Sequence, residues 1–107
     1  MTTVKVIRDE RGVRSITVSG HAGYDARGKD IVCAAASVLI ITCANALESV
    51  AKLAPLVSER AQPAEMTVSL PSGLTPEQDY DAQIILQTVL QGYTDIAAQY
   101  PRHLKII

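Results

Sequence analysis

Ser15-Ile16-Thr17-Val18-Ser19-Gly20-His21-Ala22-Gly23-Tyr24-Asp25-Ala26-Arg27-Gly28-Lys29-Asp30-Ile31-Val32-Cys33-Ala34-Ala35-Ala36 changes its period twice. Ile16 and Val18 alternate with Ser15, Thr17 and Ser19, which is the period of a half-buried strand. Glycines at 20, 23 and 28 then break the pattern and mark a loop that runs to Lys29. Asp30 is a residue type that caps helices, and the Ala-rich run from Cys33 to Ala46 favours helix. A strand, a glycine-rich loop and a capped helix in direct succession place the chain among α+β folds.

Working outward, Thr3 to Ile7 reads as a first strand and Arg14 to Ser19 as a second. Polar Asp9-Glu10-Arg11-Gly12 joins them as a hairpin. The helix begun at Asp30 is expected to continue to about Leu53, before Pro55. A polar stretch with Pro63 leads to Glu65–Leu70, where Met66, Val68 and Leu70 alternate with Thr67 and Ser69 as a third strand. Pro71-Ser72-Gly73 is a turn. Thr75-Pro76-Glu77-Gln78 then combines a capping Thr, an early Pro and a Gln three residues after the cap. Ala82, Ile85, Val89, Tyr93 and Ile96 follow on one helical face. Pro101 ends that helix, and His103 to Ile107 forms a short last strand. The expected order is ββαβαβ, within one domain over residues 1–107.

The 107 residues are 48% hydrophobic and 20% charged, which suffices for a buried core and excludes a disordered tail. A net charge of -1, no basic run and no Trp or Phe argue against direct nucleic-acid binding. Two cysteines are too few for a disulfide scaffold, and Met1-Thr2-Thr3-Val4-Lys5 runs straight into a strand pattern with no signal peptide. A cytoplasmic protein with free thiols is the expectation. Ile31 to Leu47 carries no charge but includes Ser37, Thr42 and Asn45, bracketed by Asp30 and Glu48. It falls just short of a comfortable membrane span and reads as a buried helix of a small domain, with no membrane role.

With Asp30 as N-cap, Cys33 takes the third helical position. Its sulfur then lies near unpaired backbone N–H groups and the positive end of the helix dipole, and both favour thiolate over thiol. His21 follows the second strand directly, and the loop can bring its imidazole to the helix start. A nucleophilic Cys33 with His21 as base, then acid, is the core of a cysteine protease. The N–H groups of the helix start could supply an oxyanion hole. Asp30, Asp25 and Ser37 are candidates for a group that orients His21. The plain alternative is a Cys packed in an Ala-rich helix and a His that is only a loop residue.

Gly20-His21-Ala22-Gly23-Tyr24, Gly28-Lys29-Asp30-Ile31-Val32-Cys33-Ala34-Ala35 and Ser37 resemble the ribosomal-processing cysteine protease Prp (YsxB-like) family. Thr42, Asn45-Ala46-Leu47-Glu48 and Gln99-Tyr100-Pro101 fit the same pattern, so the resemblance covers nearly the whole chain. It implies a two-layer α/β sandwich, a small sheet with two helices, in an enzyme that is usually dimeric. It implies removal of a short N-terminal extension from a large-subunit ribosomal protein during ribosome assembly. It carries His21 and Cys33 over as the catalytic dyad, without a cofactor. Gly20, Gly23 and Gly28 correspond to a mobile loop that orders around substrate. Asp25 stands where the family more often has a small residue, and Val18 where an aromatic is common. Asp25 bears on loop packing or specificity rather than on the dyad.

Other residues carry weaker expectations. Tyr24 is a substrate contact or a plug for the loop, with contact preferred. Cys43, about 80° around the helix from Cys33, reads as core. His103 reads as a surface residue of the last strand, and Tyr93 and Tyr100 as packing residues. Arg27 and Lys29 read as solvated loop charges, with a lesser reading in which they hold His21 or the peptide. Two Cys and two His match no zinc pattern, so no metal is expected. Two other functions compete with the protease. One is a non-catalytic ribosome-associated binding or assembly factor. The other is a thiol redox sensor, for which Cys43 is badly placed as a resolving partner.

Overall fold

β1 (Thr2–Asp9) and β2 (Gly12–Ser19) form the expected hairpin in the computed structural model, which describes residues 1–26 and 28–107. Then follow α1 (Ile31–Ser49), β3 (Leu56–Ala61), β4 (Ala64–Ser69), α2 (Pro76–Gln99) and β5 (Leu104–Ile106). The observed order is therefore ββαββαβ rather than ββαβαβ. The added strand, β3, lies in the stretch expected to be merely polar. All six of its residues are exposed, because it is the edge of a sheet ordered β3-β4-β2-β1-β5. An edge strand outside the core carries no alternation to detect, and Glu59 and Arg60 are the charges that blunt such edges.

The sheet is mixed: β5 runs parallel to β1 and the other pairs are antiparallel. α1 packs on β2 and β4, α2 packs on β2 and β5, and the helices pack on each other. This is the expected two-layer α+β sandwich. Val4, Ile16, Val68 and Leu104 from the sheet are buried with Val32, Ala36, Ile40 and Leu47 of α1 and Ala82, Leu86 and Tyr93 of α2. The opposite sheet face is mostly polar, with Ile7 and Leu56 exposed on it, and the paired Thr17 and Thr67 share a hydroxyl hydrogen bond of 2.8 Å.

α2 starts with the capping box expected at Thr75 and Gln78. Its first turns lock the β1–β2 hairpin. Gln83 accepts from the Val13 amide and donates to the Val13 carbonyl, both at 2.8 Å. Asp79, buried among polar neighbours, pairs with Arg14 at 2.7 Å and Arg11 at 3.3 Å. α1 stops at Ser49, short of the expected Leu53. Lys52 adopts φ 59°, and the chain folds back so that the Leu53 amide meets the Leu47 carbonyl and Leu53 is buried. α1 is not buried all round either. Val32, Ala36, Ile40, Cys43, Ala44 and Leu47 face the core, whereas Ile31, Val38 and Ile41 are about half exposed or more. By length and composition alone α1 is apolar enough to cross a membrane; here its inner face is part of the core.

Candidate active site

β2 delivers the chain to Gly20, where it must leave the sheet beside the start of β1. Gly20 has φ 81°, and a Cβ there would stand 2.6 Å from the Met1 carbonyl oxygen. Only glycine makes that exit without strain. His21 follows, exposed to solvent, and Ala22 turns inward and is buried. The loop is thus tacked to the core by Ala22 between two outward residues, His21 and Gly23.

Asp30 is the organising residue of the other side. Its Oδ1 accepts from the amides of Val32 at 3.0 Å and Cys33 at 2.9 Å, which is the expected N-cap. Its Oδ2 reaches back into the loop and accepts from the amides of Tyr24 at 2.9 Å and Asp25 at 3.3 Å. One carboxylate therefore holds both the helix start and the loop. Desolvation pulls the Asp30 carboxyl upward, but the amides of Cys33, Tyr24 and Asp25 and the nearby Cys33 thiol outweigh it and leave its pKa below the ordinary value.

Those bonds correct one expectation. The Val32 and Cys33 amides are taken by the Asp30 side chain, and the Ala34 amide by the Asp30 carbonyl at 3.1 Å. Three of the helix-start N–H groups that were candidates for an oxyanion hole are thus engaged. The donor directed at the sulfur comes from the loop instead: the Ala22 amide lies 3.1 Å from Cys33 Sγ. Cys33 itself is half-buried.

His21 and Cys33 line the same pocket, of about 660 Å³. Gly23, Asp25, Gly28, Asp30 and Ser37 line it too, so two of the expected loop glycines and all three supporting candidates are brought together with the pair. Asp25 holds the loop locally by accepting from the Ala26 amide at 2.7 Å. Gly20 lies instead in an adjoining groove of about 230 Å³. Tyr24 lines neither. Its ring stands edge-on to Tyr100 at 5.3 Å and to His103 at 5.4 Å, which anchors the loop to the C-terminal turn, and it is 43% exposed. Lys29 is exposed, and the readings made for Arg27 fall outside the described residues.

The opposite wall was not foreseen. Ala61, Gln62 and Ala64, where β3 turns into β4, face the pocket. Ser37, Ala61 and Ala64 continue into the second groove with Ile40 and Ile41 of α1, Glu59, Arg60, Glu65 and Met66 of the β3–β4 hairpin, and Val18 on β2. A cleft thus runs from Cys33 along α1. These residues carry no chemical signature, and only the pairing of β3 with β4 brings them to the site.

His103 also departs from expectation. It lies in the turn before β5, half-buried, with Nδ1 3.0 Å from the Ala22 carbonyl oxygen. Tyr93 and Tyr100 are packing residues as expected. Tyr93 is fully buried and its hydroxyl donates to the Ala36 carbonyl at 2.7 Å. Cys43 is fully buried, and burial pushes its thiol up to about 11, which suits core and not a resolving thiol.

The family model for the cysteine protease Prp matches residues 1–105. The chain belongs to the cysteine protease Prp family. That membership favours the enzyme over the non-catalytic binding factor. The chain is 28% identical to the ribosomal processing cysteine protease Prp of Staphylococcus aureus (strain Mu50), over 99% of this chain and 97% of that one. It is 25% identical to the protein of the same name from Bacillus subtilis (strain 168), over 91% of this chain and 87% of that one. Among solved structures it resembles the S. aureus family member in complex with a covalently linked product peptide, with TM-score 0.88 and 27% identity over 99% of this chain and 97% of that one. The S. aureus enzyme in complex with a substrate peptide matches with TM-score 0.83 and 27% identity, over 100% and 98% of the two chains.

Proposed function

We propose that this chain is a single cysteine endopeptidase domain over residues 1–107, with Cys33 as nucleophile and His21 as base, and that its substrate is the short N-terminal extension of a bacterial large-subunit ribosomal protein. The observation that carries the reading is one pocket holding His21 and Cys33, with the sulfur seated beside a capped helix start under a backbone N–H. The relatives' names point to ribosomal processing and their structures to a peptide substrate, while the N-terminal extension of a large-subunit protein is what the family resemblance implies.

The chemistry follows from these atoms. The Cys33 thiol gives its proton to the His21 imidazole, and the sulfur adds to the scissile carbonyl carbon. The Ala22 N–H, already directed at the sulfur, stands beside the oxygen that gains charge. The C–N bond breaks as His21 returns the proton to the leaving amine, and a thioester to Cys33 remains. Water then adds to the thioester with His21 taking its proton. The carboxylic acid departs and the thiol re-forms. Asp30 and Ser37 support the site, Asp30 by fixing loop and helix start. Gly23 and Gly28 give the loop freedom to close on the peptide. The cleft between α1 and the β3–β4 hairpin suits an extended segment.

The finer setting is part of the same proposal. The exposed Ile31, Val38 and Ile41 on α1 suit burial in a homodimer, as the family resemblance implies. Free Cys33 and Cys43 suit a reducing cytoplasm. A net charge of -1 supports no direct nucleic-acid contact, and the packing of α1 into the core supports no membrane role.

Cleavage of an extension peptide by Cys33→Ala and His21→Ala variants tests the dyad. Each is expected to lose roughly three orders of magnitude or more in kcat/KM while its circular dichroism matches wild type. Two folded variants with full activity would overturn it.

A further inference from the structure

We infer that His103 is a positioning residue for Cys33, acting through the Ala22 backbone; the inference rests on Cys33 being the nucleophile. Ala22 joins two contacts. Its carbonyl oxygen lies 3.0 Å from His103 Nδ1, and its amide lies 3.1 Å from Cys33 Sγ. A carbonyl oxygen only accepts, so Nδ1 carries the proton and donates. This fixes one peptide plane of Ala22 from the C-terminal side while the Ala22 methyl is held in the core. Between those two anchors the Ala22 N–H has little freedom to leave the sulfur.

The C-terminal turn is built to hold His103 there. The His103 amide donates to the Tyr100 carbonyl at 3.0 Å, and its carbonyl accepts from the Thr2 amide at 2.9 Å, which ties it to the start of β1. The Tyr24 ring stands edge-on to both His103 and Tyr100. The loop is therefore gripped at two places. Asp30 holds the amides of Tyr24 and Asp25 from the α1 side, and His103 holds Ala22 from the β5 side. The first grip belongs to the helix cap, whereas the second comes from 81 residues away in sequence. Among the described residues His103 is not one of those that line the pocket, so its effect is on geometry.

The donor can be separated from the ring. His103→Phe keeps an aromatic edge for Tyr24 and Tyr100 but removes the N–H. His103→Asn puts an amide N–H close to the Nδ1 position. The readouts are the rate of Cys33 alkylation by iodoacetamide at neutral pH, and kcat and KM for the extension peptide. His103→Phe is expected to slow alkylation about three- to tenfold and to lower kcat by a similar factor, with KM within about twofold. His103→Asn is expected to return both to within about twofold of wild type. A folded His103→Phe variant equal to wild type, or a His103→Asn variant as impaired as it, would overturn the inference. Wild-type protein gives a second check that needs no variant. Histidine ring ¹⁵N correlations should show His103 protonated at Nδ1, and a bare Nδ1 would equally sink the idea. Alkylation and the ring spectrum do not depend on the peptide. A wild type that cuts nothing would refute the protease reading, while the alkylation rates and the ring spectrum would still decide the role of His103.

Discussion

Asp30 shows how much one side chain can organise. Its two oxygens accept four amides, two in α1 and two in the loop, and this lowers its pKa. Asp79 is lowered as well: desolvation raises it, but Arg14, Gln83 and Arg11 more than reverse that. Both carboxyls therefore titrate lower in the folded chain than in the unfolded one. Their contribution is complete above the unfolded value of about 3.9 and disappears as pH falls through the lowered folded values. The urea midpoint is expected to drop steeply from about pH 5 to about pH 2, and less steeply in Asp79→Asn. A wild-type midpoint that is flat over that window would contradict the assignment. At this scale the sequence was informative where chemistry is local. Asp30 as cap, Cys33 at the third helical position and His21 after the strand all follow from neighbouring residues. The Ala22 N–H on the sulfur and the His103 contact do not, because both arise from the meeting of distant segments, and a histidine beside Arg102 and Lys105 looks like surface.

Helices and strands with a buried face were legible and those without one were not. β2, β4 and α2 announce themselves by alternation or helical spacing and by the capping box. β3 has no buried face, so Leu56–Ala61 looked like a polar connector, and the wall of the pocket at Ala61, Gln62 and Ala64 went with it. The contact between α1 and α2 is fixed by Gly92. A Cβ there would lie 2.8 Å from Leu39 Cδ2 and 2.9 Å from Leu39 Cδ1, at the movable end of a side chain. Alanine gains about 1 kcal/mol of helix propensity over glycine, which offsets the shift of the Leu39 side-chain end that its Cβ requires. Gly92→Ala is therefore expected to leave the melting temperature within a few degrees. Gly92→Val adds bulk that Leu39 cannot clear and is expected to cost about 1–3 kcal/mol. Calorimetry of the two variants checks this, and a valine variant as stable as the alanine one would refute it.

The sheet order places the β2 exit, the start of β1 and the turn before β5 at one end of the molecule, against the first turn of α1. The pocket forms where these meet the β3–β4 turn. The same arrangement leaves Ile31, Val38 and Ile41 uncovered on α1, close to the cleft that contains Ile41. If two copies cover this face, Val38→Lys should convert a dimer to a monomer in analytical ultracentrifugation; an unchanged dimer would place the interface elsewhere. The fold class was legible in the strand–loop–helix succession around Gly20, and the family in the residues from Gly20 to Cys33, but the packing of copies leaves no pattern to read beyond an apolar helix without charge.

The central claim is peptide-bond cleavage through Cys33. Its most direct test is mass spectrometry of a peptide spanning the N-terminal extension of the host's own large-subunit ribosomal protein, incubated with wild type and with Cys33→Ser. Cleavage at one bond by wild type, with the peptide intact beside Cys33→Ser, is the expected result. An intact peptide beside folded wild type, or equal cutting by both, would contradict it.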